Sequence, residues 1–416
     1  MRRPAWSWAL YDVGNSAFTT TVMAGFFPLF FKQYWSADVI VTESTFRLSV
    51  ANSLGSLVIM LLAPVLGAIA DRCGARKRFL VGFAFLGVLS TLSLALVAQG
   101  QWQLALLGYF LASVGYAGSV TFYDSLLLFV APRQKLDNIS ALGYALGYLG
   151  GGLLFAINVW MTLKPASFGL ADAAEAVKLS FLMVAVWWAL FTVPLLLWVK
   201  EPESHGVGLI TAVRGGLRQL QGTFHEIRRE KAVFLFLLAY WCYIDGVDTI
   251  VRMAVDYGLS IGFDSGDLIA ALLITQFVGF PAAIVFGRIG ERHGAKRGIY
   301  IAIGVYCLVT LGASMMNSVQ QFYILATVIG LVQGGIQSLS RSYYAILIPP
   351  DKSGEFFGFY NMWGKFAAVL GPVMVGYTAR VTGSPGLSLL TLLLLFVAGG
   401  YILSRVDGNR EAAGNI

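Results

Sequence analysis

Apolar runs of about twenty residues follow one another along this 416-residue chain with few polar intervals between them. A helix of roughly 20 apolar residues crosses the hydrocarbon core of a bilayer. Twelve such runs can be drawn, at approximately 8–31, 46–70, 79–98, 103–131, 139–161, 179–199, 232–260, 267–290, 298–316, 320–348, 355–379 and 386–404. Their hydropathy is continuous, where barrel strands would alternate, so helices are the expected spanning structure. The fold class predicted is an all-α polytopic membrane protein. Charged residues make up 12% of the chain and hydrophobic ones 57%, about half the charge content of a soluble domain.

A net charge of +7 would suggest nucleic acid as a partner in a soluble protein. Here its distribution has another cause. With Met1 in the cytoplasm, Arg2, Arg3, the bases at 72–78, Arg133, Lys135, the 200–231 bases, Arg292, Lys296, Arg297, Lys352, Arg405 and Arg410 share that side. The opposite side keeps Lys32, Arg47, Lys164, Lys178 and Arg380. The positive-inside rule then places both termini in the cytoplasm, with a lipid bilayer and no nucleic acid as surroundings. No small-residue cleavage site follows the first run, which is read as a retained helix. Cys73, Cys242 and Cys307 are too few and too widely spaced for a disulfide framework or a metal site.

The chain repeats itself. "GAIADRCGARKR" (67–78) and "GRIGERHGAKRG" (287–298) share the pattern Gly-x-x-x-acid-Arg-x-Gly-Ala-base-base, 220 residues apart. Each lies between the second and third span of its half. Two parallel six-helix halves are expected, 1–199 and 232–416, joined by a basic segment at 200–231. Within that segment Ile210, Val213, Leu217, Leu220, Phe224 and Ile227 form a helical apolar stripe among arginines, as in a tether lying on the membrane surface. In the repeated loops Gly67 and Gly287 suit close helix packing, and Gly74 and Gly294 a tight turn. Asp71 and Glu291 are expected to cap a neighbouring helix or hold the adjacent Arg72, Arg76 and Arg292, so that the loops latch the halves in one state.

These paired loops are similar to the signature of the major facilitator superfamily, over essentially the whole chain. More narrowly, "WALYDVGNSAF" (8–18), "YIDGVDTI" (243–250) and "GFYNMWGKFAAVLGP" (358–372) resemble the family of the autophagy-related vacuolar amino-acid effluxer and its bacterial relatives. The resemblance implies a twelve-helix secondary transporter with alternating access, acting on amino acids or similar small solutes and working as a monomer. Val13-Gly14, Ile244 and Asp248 depart from the family pattern.

Ionisable groups at membrane depth usually face a protein interior or a watery cavity. On the first helix Asp12, Asn15, Ser16 and Thr19 share one face; Asp12 reads as a gate or site residue, or as a partner of a loop base. On the seventh, Asp245, Asp248, Arg252 and Asp256 fall on one stripe, with Asp245 or Asp248 as proton carrier or cation contact, or the whole as a salt-bridge ladder. On the tenth, Gln333, Gln337 and Arg341 step by four. Superfamily likeness pairs Asp124 with Arg76 or Lys77, and Arg341 with Glu291; a substrate carboxylate is the other candidate partner of Arg341. Asn361 and Lys365 on the eleventh, Tyr144 and Tyr148 on the fifth, and Asn52 on the second complete the expected polar lining.

Acids and bases in one cavity suit a zwitterion. The expected function is therefore a secondary transporter of a small solute, an amino acid or similar zwitterion, coupled to protons. An exporter of organic cations or amphipathic solutes, and a membrane receptor or assembly subunit that lacks transport, are the competing readings. No nucleophile–base set, nucleotide loop or metal spacing suggests an enzyme or a cofactor. Short loops favour a bacterial inner membrane.

Overall fold

The computed structural model describes residues 3–201, 222–260 and 263–406; the side chains at 41, 42, 45, 252–260, 265, 367–369 and 385 also lie outside the described residues. Nearly all of it is helix, with no strand among the described residues. Among the described residues, ten helices are long and apolar enough to cross a membrane. They are α2 (Val41–Cys73), α3 (Arg76–Leu94), α4 (Trp102–Val130), α5 (Leu136–Leu163), α6 (Ala173–Trp198), α7 (Lys231–Ser260), α8 (Ser265–His293), α9 (Ala295–Ser314), α10 (Val319–Leu347) and α12 (Gly386–Ser404). Two further helical runs lie where the first and eleventh of the expected spans were drawn. One is α1, helical from 3 to 35 with π-helical turns at Phe18–Phe26 and Phe31–Trp35; the other is α11 (Ser353–Thr382). Of the amphipathic stripe expected at 200–231, residues 222–229 are helical and 202–221 lie outside the described residues.

The turns follow their residues. Gly74 and Gly294 have φ of 56° and 85°, a region that side chains with a Cβ avoid. On the opposite face, α6 and α10 open with capping boxes. Asp172 accepts from the Glu175 amide at 2.8 Å while the Glu175 side chain takes the Ala171 amide at 2.7 Å. Gln321 likewise donates its amide to Ser318 Oγ, and its side chain accepts from the Asn317 amide.

Aromatic side chains fill the interior. Trp8 stacks on Tyr123 with centroids 4.2 Å apart, and Phe27 on Tyr109 at 4.0 Å. Among the last six helices Tyr240 stacks on Tyr360 at 4.3 Å. The outward surface is apolar as well, with Leu61, Leu197 and Leu394 exposed, as a lipid-facing wall requires. Two seams join the first six helices to the last six: α2 packs along α11, and α8 along α5. We call the side carrying the loops at 74, 132, 294 and 349 the termini face, and the other the far face.

Candidate functional site

The repeated glycines bring the seams together at the termini face. A Cβ on Gly67 would lie 2.2 Å from the Gly354 carbonyl oxygen, and one on Gly287 2.6 Å from the Ala141 Cβ. Contact that close lets the acid of each repeat reach the next helix. Asp71 accepts from the backbone amides of Gly354 and Glu355 at 2.9 and 2.8 Å, at the start of α11. It also holds Arg76 at 2.6 Å. Arg76 reaches on to the Asp351 carbonyl at 2.9 Å, and Glu201 caps α3 by accepting from the amides of Arg76 and Lys77. On the other seam Glu291 accepts from the Asn138 side-chain amide, and Ser342 donates to Asp137. Arg72 and Arg292 sit on the surface of their loops.

Deeper, a charge cluster crosses between α1, α4, α5, α10 and α11. Arg341 on α10 donates to Asp124 Oδ1 at 3.0 Å, to Ser140 Oγ at 2.9 Å and to the Ser140 carbonyl at 2.8 Å. The amino group that binds the Ser140 carbonyl also lies 3.9 Å from Asp12 Oδ2. The guanidinium is packed against the rings of Tyr144, Trp8 and Tyr123, with centroids 4.4 to 5.3 Å away. Asp12 in turn accepts from the Tyr123 hydroxyl at 2.7 Å and the Asn15 amide at 3.2 Å. Asn361 donates to Asp124 Oδ2 at 3.3 Å. Asp12, Asp124 and Arg341 are all buried.

This arrangement corrects the pairing expected for Asp124 and Arg341. Arg76 is taken by Asp71, Lys77 binds the carbonyls of Leu196 and Val199, and Glu291 reaches Asn138. Asp124 and Arg341 pair with each other, because α4 and α10 face one another across the middle of the bundle. Each of the three Arg341 nitrogens donates a hydrogen bond to protein at this end.

Above the cluster lies a cavity of about 400 Å³. Its floor holds Asp12, Asn15, Tyr144, Gln337 and Arg341; Gln333, Tyr148, Thr19, Thr20 and Gln276 line the middle. The Gln276 amide donates to Thr20 Oγ1 at 2.7 Å across the cavity wall. Beyond them the lining is apolar, through Ile329, Ala326 and Leu272 to Met316, Phe322 and Leu268 near the far face. The cavity thus leads from the far side to a floor sealed at the termini face.

Other expected lining residues fall elsewhere. Asp245 is fully buried between α7 and α11, both oxygens accepting from the Gly371 amide at 3.0 Å with Thr249 Oγ1 at 3.3 Å. Pro372 follows directly inside the continuous helix α11, and this carboxylate satisfies the Gly371 amide beside it. Asp248 is half-buried, within electrostatic reach of Tyr144 and Tyr240. Lys365 is half-buried one turn beyond Asn361. None of these is in the described cavity lining. The side chains of Arg252 and Asp256 lie outside the described residues. Asn52 is exposed and accepts from the Tyr109 hydroxyl at 2.9 Å. Sequence reasoning passed over Tyr123, Asn138, Ser140 and Gln276. The cluster "DNIS" at 137–140, polar residues opening an apolar helix, was the available signal.

Solved structures give the fold. The chain matches the human organic anion transporter MFSD10 (TETRAN) with a TM-score of 0.73 at 14% identity, covering 97% of this chain and 99% of that one. It matches the transporter FucP in its outward conformation with a TM-score of 0.71 at 15% identity, covering 98% and 100%. Identities this low establish the fold, which is that of the major facilitator transporters, and these are not enzymes. Sequence relatives narrow the class. The chain is 38% identical over 409 residues to YxiO of Bacillus subtilis (strain 168), an uncharacterised MFS-type transporter, covering 96% of this chain and 94% of that one. Autophagy-related protein 22 of Yarrowia lipolytica is 27% identical over 307 residues, 66% of this chain and 51% of that protein. Residues 39–414 match the family described as "Vacuole effluxer Atg22 like", and the chain belongs to it.

Proposed function

We propose that this protein is a secondary active transporter of a small zwitterion, an amino acid or a close analogue, working by alternating access and coupled to protons. The observation that carries the reading is a polar-floored cavity between the first six and last six helices, closed at one face by a cross-chain ion cluster. Residues 1–199 and 232–416 act as two rocking halves with 200–231 as their tether, in a bacterial inner membrane with the termini in the cytoplasm. A monomer suffices, since the cavity is complete within one chain.

In this reading Asp12 meets an ammonium group. Because Arg341 is engaged, the substrate carboxylate is anchored by the carboxamides of Gln333 and Gln337, both half-buried and facing the cavity. The apolar upper wall accommodates a side chain. That wall is also what favours the second reading, an exporter of amphipathic organic cations.

The test is uptake by the purified full-length chain in liposomes, with labelled neutral L-amino acids and a set of organic cations. Saturable amino-acid flux that drops at least tenfold in Gln337→Ala supports the reading. Flux of cations alone moves it to the second, and no flux with a normally folded protein points to a receptor or assembly role.

A further inference from the structure

The upper cavity is built by one half of the molecule. The first six helices supply described lining as far as Ala24 on α1 and Tyr148 on α5. Beyond these the described lining belongs to the last six alone, with Leu268 on α8, Val309, Ala313 and Met316 on α9, and Phe322 and Ala326 on α10. Phe263 packs on Phe322 at the far end, ring centroids 5.5 Å apart. Here α8 and α10 are fixed to each other, because the Thr275 hydroxyl reaches the Ala326 carbonyl at 3.2 Å. Rocking of the halves therefore leaves this chamber whole, whereas it takes the polar floor apart.

The chamber offers nothing to water. Its two hydroxyls are turned to the backbone of their own helices, Thr275 donating to the Ala271 carbonyl at 2.9 Å and Thr310 to the Tyr306 carbonyl at 2.8 Å. No charged side chain is in its described lining. An apolar cavity without polar partners stays dry and takes hydrocarbon instead. The whole cavity, about 400 Å³, is drawn out over about 28 Å of α10 between Arg341 and Phe322, a shape for a single chain. Its apolar part, from Ile329 to Phe322, is about 10 Å long. An extended chain advances about 1.2 Å per bond, so that length holds about eight carbons.

We propose that this chamber is a hydrocarbon site for one unbranched alkyl chain of about eight carbons, the tail of a single-chain amphiphile whose zwitterionic head lies at Gln333 and Gln337. The head rests on the transport reading above; the tail site stands on the chamber alone. The ligand class thereby extends from ordinary amino acids to amphiphiles too long for the polar floor. A tail held inside one rigid half does not span the gap that closes over the head, so its length is no obstacle to rocking.

The experiment uses the full-length chain in lipid nanodiscs and 2-aminodecanoic acid carrying a diazirine on its last carbon, with labelled residues mapped by mass spectrometry after illumination. Labels are expected on Ala313, Met316, Phe322 or Ala326, and excess unlabelled 2-aminodecanoic acid should remove them. The shorter 2-aminohexanoic acid should need at least a tenfold higher concentration, since each buried methylene is worth about threefold in affinity. Ala326→Phe fills the chamber and should abolish the inward labels; the wild-type map and the length series decide the matter if that variant misfolds. Probe dissolved in the bilayer would label Leu308, Leu311 and Ile324, which are exposed on the outer faces of α9 and α10. Labels confined to those outer residues overturn the proposal. So do inward labels that survive excess competitor, inward labels that persist in a folded Ala326→Phe, or a length series without a trend. If the flux screen fails while the inward labels are displaced, the transport reading falls and the chamber stands. Amino-acid flux with outer labels alone gives the reverse.

Discussion

The two seams at the termini face come from one sequence pattern and end in different chemistry. On the α2–α11 seam Asp71 is buried, caps α11 through two backbone amides and holds Arg76. On the α8–α5 seam Glu291 is exposed and takes a single side-chain amide from Asn138. The difference lies in the partner helix. A Cβ on Gly354 would sit 2.4 Å from Asp71 Oδ1, so the bare backbone there admits a carboxylate to the positive end of the helix dipole. The start of α5 carries its own acid, Asp137, packed against Gly290 and bound by Ser342, and a second carboxylate is repelled. A duplicated motif thus sets where a contact forms, and the residue opposite sets how strong it is. The α2–α11 seam is therefore the more firmly bonded of the two.

The sharpest way to break this contrast is to remove both acids in turn. Asp71→Ala takes the nearer carboxylate from buried Arg76, leaving it Glu201 at 3.6 Å, and is expected to cost about 3 kcal/mol. Glu291→Ala, at an exposed contact, should cost under about 1 kcal/mol. Thermal melting of the two variants in detergent, side by side, reads the difference, and equal losses would refute the contrast between the seams. A smaller effect comes from the glycines. Gly67→Ala drives a methyl into backbone and is expected to destabilise the closed seam by about 1–3 kcal/mol. Labelling of a cysteine at Ser353, buried at the start of α11, should then rise as that seam loosens. No change in labelling would mean that the seam has slack.

The smallest effect concerns the approach to α11. Lys352 pairs with Glu226 at 2.5 Å, and this bond holds the lysine above its ordinary value of 10.5. A raised folded value means the pair contributes below about pH 10.5 and fades as pH rises through the higher folded value. Both side chains are about a third exposed, so the contribution is about 0.5 kcal/mol or less. Glu226→Gln should lower stability slightly at pH 8 and leave it unchanged at pH 11; a loss of equal size at both would assign the effect to packing.

Much of this was readable in advance. Apolar length placed the helices, since lipid leaves the backbone few alternatives. The Gly74 and Gly294 turns, and the capping by Asp71, followed from residues whose chemistry is local. The charge cluster was harder. Asp12, Asp124 and Arg341 each stood out as charges in apolar runs, yet their partners lie 217 or more positions away in the chain for the Arg341 pair, and spacing along one helix says nothing about which helix faces it. Asp245 looked like a cavity acid for the same reason. Its partner is a backbone amide beside Pro372, a contact that no side-chain pattern announces.

The sequence by itself determined that this chain lives in a membrane, how many times it can cross, and that its two ends repeat one device, because hydropathy and turn chemistry act over a few residues. Tertiary structure decided which charges meet, that Asp12 opens onto a cavity while Asp245 does not, and that one copy of the repeat latches more firmly than the other. Those outcomes depend on which helices face each other in three dimensions. In a low-dielectric interior the energy of a charge is set by what stands within a few ångströms of it.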